Sequence, residues 1–144
     1  MKFLDKLLGY DKIREMEAEQ RLKSKIESKL QEILQSLETL ESERKRVKSE
    51  WYSIWNIRDT EDFTTELSDK LASLNCRVKE LESKILDESN SLLTNLGDSD
   101  SASVVQSALA TSGEYLHIEF IVEFVRIRVK SLIKRDLCKD EEVI

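Results

Sequence analysis

From residue 26 to residue 54, apolar side chains recur in alternating steps of four and three: Ile26, Leu30, Ile33, Leu37, Leu40, Val47, Trp51 and Ile54. This is heptad spacing over about four repeats, the pattern of a helix that buries one narrow seam. The position between Leu40 and Val47 is taken by Arg44. An unpaired charge in a seam is costly, so Arg44 predicts a contact that sets register or partner. Glu43, Glu50 or an acid on a facing helix would satisfy it. Upstream, Ile13, Met16 and Leu22 fit the phase less well, and the seam weakens toward the N-terminus.

The phase breaks near residue 58. Carried onward it meets Arg58, Glu61, Thr65, Ser68 and Ala72, which form no apolar stripe. A new seam starts one residue out of register at Leu67, Leu71, Leu74, Val78, Leu81 and Ile85. Asp59 or Thr60 is the expected N-cap of this second helix, with acids in its first turn where the helix dipole favours them. The pattern therefore predicts a long antiparallel helical hairpin, a coiled coil over residues 10–96 with its turn near 57–62. Each arm would be roughly 50 Å long at 1.5 Å per residue. The rival reading is one continuous helix with a skip near residue 58.

Shorter elements flank the hairpin. In residues 1–9, Phe3, Leu4, Leu7 and Leu8 share one side of a short amphipathic helix that Gly9 is expected to end. This stretch would dock on the rest of the protein or its oligomer, or insert shallowly into a membrane surface or a partner groove. Residues 97–113 are a polar linker opened by Gly97, with a short helix expected around Val104, Val105, Ala108 and Leu109. Residues 114–137 fit a helical template without slippage, whereas strand alternation slips at Val125. A strand of that length would also far exceed the usual five or six residues. The expected C-terminal amphipathic helix carries Ile118, Ile121, Val122, Val125, Val129 and Leu132 on one stripe, with Phe120, Phe124 and Ile127 beside it. An element apolar on nearly two sides predicts burial between partners. Residues 138–144 read as an acidic tail. The fold class is all-α.

Composition supports that class. There is no proline and there are only 3 glycines in 144 residues, so strong helix breakers are almost absent. Charged residues make up 36% of the chain and aromatics 6%, which suits narrow seams better than a large globular core. The net charge of −6 argues against nucleic acid as the main partner. The charge is uneven: residues 59–100 hold 11 acidic and 4 basic groups, while residues 1–58 hold 11 and 13. Cys76 and Cys138 form no metal-binding or disulfide pattern, which fits reduced thiols in a cytoplasmic protein. No apolar run approaches the roughly 18 residues that cross a bilayer.

Catalytic chemistry needs convergent polar groups, and the sequence offers no such set. His117 is the only histidine. There is no phosphate-cradling glycine loop and no paired metal-ligand histidines, so no catalytic residue, metal or cofactor is expected. Two other features stand out. Trp51, Tyr52 and Trp55 form an aromatic cluster, either a packed cap at the closed end of the hairpin with Ile57 and Phe63, or a binding hot spot. Arg126, Lys130 and Lys134 form a basic stripe, either a solvated face paired with acidic segments or a phosphate contact. The reading as a whole is a non-enzymatic coiled-coil protein that oligomerises or serves as an adaptor in a larger protein assembly. Binding at a membrane surface is the alternative, and nucleic-acid binding a weaker one.

Overall fold

The computed structural model describes the backbone of residues 2–111 and 118–142 and the side chains of residues 9–108 and 118–139. Four helices account for nearly all of it: α1 (Lys2–Trp55), α2 (Thr65–Asn95), α3 (Ser99–Thr111) and α4 (Ile118–Glu142). The described residues contain no strand, as the helical periodicity predicts for the part of residues 114–137 from Ile118 onward; residues 114–117 lie outside the described residues. No helix among them is long and apolar enough to cross a membrane.

α1 is 54 residues long, about 80 Å at 1.5 Å per residue. Gly9 does not end it. A glycine that stops a helix does so in the left-handed conformation with matching C-cap bonds, and Gly9 lies inside α1 without positive φ. A lone interior glycine costs only about 1 kcal/mol relative to alanine, which good helix formers on both sides outweigh. Residues 56–64 make the turn through short-range bonds, such as Thr60 Oγ1 donating to the Ile57 carbonyl at 2.7 Å. The N-cap of α2 is Thr64, not Asp59 or Thr60: its Oγ1 accepts from the Leu67 N–H at 3.2 Å. The chain leaves helical geometry a full turn longer than the acids at 59–62 imply, with Phe63 half-buried in the loop.

α2 runs back along α1. Lys70 meets Glu50 at 2.9 Å, Arg77 meets Glu43, and Glu82 meets Arg44 at 3.0 Å, so the start of α2 lies nearer the end of α1 and its middle beside residues 43 and 44. Val47, Val78 and Leu81 form a small core near the turn, flanked by Leu40 and Leu74. Gly97 then closes α2 at φ 81°. The Gly97 N–H donates to Thr94 O and the Asp98 N–H to Leu93 O, the two bonds that satisfy the last carbonyls of a helix ending in a left-handed residue. α3 begins immediately, so most of the expected polar linker is helix. Ala102 and Val105 are its buried stripe.

The main core lies where all four helices meet. Leu34 and Leu37 of α1 pack there with Ile85, Leu86 and Leu93 of α2, with Ala102 and Val105, and with Ile118, Ile121, Val122, Val125, Val129 and Ile133 of α4. α4 is antiparallel to α1: Arg126 reaches Glu38 and Glu41, while Lys130 and Lys134 lie near Leu22 and Ile26. The helix continues through Glu142, past the expected tail boundary at residue 138.

Candidate functional site

The α4 stripe is filled from within. Ile118, Ile121, Val122, Val125, Val129 and Leu132 are all buried in the chain's own structure, Val125 and Val129 completely. The predicted surface for a partner is thus covered by α1 and α2 of the same chain. The physical reason is that apolar burial has no preference for whose side chains supply the wall. The outer side of α4 remains open, with Phe120 75% and Ile127 58% exposed.

The basic stripe divides. Arg126 is committed to carboxylates: Glu123 at 3.1 Å, Glu38 at 3.4 Å and Glu41 at 3.9 Å. Three acids around one guanidinium leave little net positive field for a phosphate. Lys130 and Lys134 instead border a groove of about 250 Å³ whose apolar floor is Leu22 and Ile26, beside Glu19, Lys23 and Glu27. Of the stripe, Arg126 thus ties α4 to α1.

At the turn, Trp51 and Trp55 stack with ring centroids 5.1 Å apart and planes 13° apart, and Tyr52 meets Trp51 edge-on at 5.1 Å. The Arg58 guanidinium lies 3.8 Å above the Trp55 ring. Ile57 and Phe63 are half-buried, while Tyr52 and Trp55 are exposed. A cleft of about 220 Å³ opens beside the cluster, lined by Lys48, Trp51, Tyr52, Asn75, Val78, Lys79 and Glu82. Ring stacking on one helix face and an arginine lid use much of the aromatic surface internally.

One surface was not singled out by the sequence patterns. Every residue from 10 to 21 is exposed. Leu22 is the first half-buried side chain of this stretch and Ile26 the first buried one. Residues 10–21 span about 18 Å of helix at 1.5 Å per residue with no buried side chain, although Glu19 still borders the groove with Lys130 and Lys134. Tyr10, Ile13 and Met16 stand on it at 64%, 53% and 68% exposure. The available signal was the poor fit of Ile13 and Met16 to the seam phase, which marks a different face.

The side chains of Phe3, Leu4, Leu7 and Leu8, together with His117 and the acids at 140–142, lie outside the described residues. Among the described residues, no group of three or more His, Cys, Asp or Glu side chains is arranged to hold a metal ion. Cys76 is exposed and Cys138 half-buried, both as free thiols. No protein-family model matches this chain, and no curated protein or solved structure matches it.

Proposed function

We propose that this chain is a non-enzymatic adaptor: α1 and α2 form a coiled-coil hairpin that acts as a stiff bracket, and the bare segment of α1 joins it to other protein. The observation that carries this reading is the unbroken exposure of residues 10–21 with Tyr10, Ile13 and Met16 on the surface. Isolated helices of this length are marginal in water, and packing of an apolar face is the usual source of their stability. A helix that projects from a firm base with apolar residues on it is suited to helix-to-helix docking.

The test is the absolute mass, by light scattering, of tagged protein isolated gently from cells that express it. A mass well above 16.8 kDa that falls to 16.8 kDa in the Ile13→Asp/Met16→Asp variant is the expected result. Wild-type protein that elutes as a 16.8 kDa monomer would overturn the reading.

A further inference from the structure

We infer that the partner of the exposed segment is a second copy of itself: two chains lay residues 9–20 antiparallel, with Ile13 of each against Met16 of the other. The inference rests on the adaptor reading and names its partner.

The geometry starts from spacing. Gly9, Ile13, Met16 and Gln20 are separated by four, three and four residues, so they share one face of α1. That face is turned roughly 120° from Leu22, Ile26 and Ile33, counting 100° per residue, while farther along α1 the same face carries Leu34, which is buried in the bundle. Lys12, Glu17 and Glu19 are exposed on the flanks of this face, Glu19 beside the groove that Lys130 and Lys134 border.

Charge then selects the orientation. In an antiparallel pair the Ile13–Met16 register sets Gly9 against Gln20, where a residue without a side chain allows close approach. On one flank it sets Lys12 against Glu19, and on the other Tyr10 against Glu17. The two-fold axis repeats each pair, and none of the flanking pairs joins like charges. In a parallel pair Ile13 would face its own copy and the seam would run on into Lys23 and Glu27. Each of those would meet an identical charge along the bodies of both chains, which is unfavourable. The next position after Gln20 is Lys23 in either orientation, so the apolar contact ends there. A contact this short makes a weak, reversible dimer rather than an obligate one.

The experiment is sedimentation equilibrium of the purified full chain over a wide concentration series. A reversible shift toward twice 16.8 kDa is expected. Lys12→Glu should weaken association by roughly tenfold, Glu19→Lys should do the same, and the two together should restore it. Orientation is read by disulfide formation in a Cys76→Ser/Cys138→Ser background. Ile13→Cys mixed with Met16→Cys should cross-link faster than either alone. Three results would overturn the inference: a monomer at every concentration, a dimer indifferent to Ile13→Asp, or fastest cross-linking by Ile13→Cys alone. A purified monomer alongside a heavy assembly from cells would reject self-pairing and leave the adaptor reading standing. A monomer in both settings would reject both.

Discussion

Arg128 holds Asp98 through two hydrogen bonds to a single oxygen: its Nη2 lies 2.7 Å and its Nε 2.9 Å from Asp98 Oδ2. The other oxygen, Oδ1, accepts from the Ser101 N–H at 3.2 Å and so caps α3. The Asp98 backbone N–H, donating to Leu93 O, completes the end of α2. One residue thus ends one helix, starts the next and ties both to α4.

Hydrogen bonding from Ser101, and after it from Arg128, holds the Asp98 carboxyl below the ordinary carboxylate value. A group whose pKa is depressed on folding contributes stability that is fully present above the unfolded value of about 4 and is lost as pH falls through the folded value. Glu50 and Glu80, held down chiefly by bonds from Lys70 and Arg77, add to the same acid limb. Asp98→Asn keeps the capping oxygen and removes the charge. Its urea midpoint should lie below wild type near neutral pH and converge on it in strong acid. A constant offset across the whole pH range would show that the charge is not what matters.

Arg44 is only 5% exposed, and its Nε donates to Glu82 Oε1 at 3.0 Å. Removing the partner leaves a buried guanidinium without its carboxylate, whereas removing the arginine lets Glu82 turn toward water. Glu82→Ala should therefore cost about 2 kcal/mol, and Arg44→Leu, which completes the apolar seam, less than about 1 kcal/mol either way. Urea titrations followed by helical circular dichroism would measure both. The opposite ranking would mean that the pair is not buried as a unit.

The all-helical class was legible because the two seams and the near absence of breakers agree at every level. So was the need of Arg44 for an acid, although nothing local distinguished Glu43 and Glu50 from Glu82, 38 residues away. The stripe of Ile118, Val125 and Leu132 reads the same whether its wall belongs to this chain or to another, because burial is non-directional. The cap falls on Thr64 and not on Asp59 or Thr60, whose hydroxyl instead donates to the Ile57 carbonyl within the turn. For the exposed segment of α1 the one signal was the poor phase fit of Ile13 and Met16, because where neighbouring helices stop covering α1 is set by packing between distant segments, which no window of sequence contains.

Gly9 and Gly97 should respond to alanine with opposite signs. A Cβ built on either meets nothing within 4 Å, so crowding plays no part. Gly97 sits at φ 81°, where an L side chain is strained, and Gly97→Ala should destabilise by about 1 kcal/mol. Gly9 lies within a continuous helix, and Gly9→Ala should lower the helical cost of that turn by up to about 1 kcal/mol. Thermal melts resolve the first change. The second shows best as increased helicity, since residues beyond the bundle contribute little to global unfolding. A destabilising Gly9→Ala would mean that the chain needs to bend there.

Hydrogen exchange separates the two parts of α1 directly. Around Leu34, Leu37 and Val47 the helix is clamped by apolar contact on its buried side, so those amides open only with the fold. Residues 10–21 have backbone bonds of the same kind but no packing to hold them, and a helix that short frays readily. In dilute purified protein their amides should exchange at least about a hundredfold faster than those of residues 34–47. Protection of 10–21 that rises with protein concentration, while 34–47 stays constant, is what a reversible contact on that face requires. Equal protection of both segments at high dilution would show that the end of α1 is held by something within a single chain.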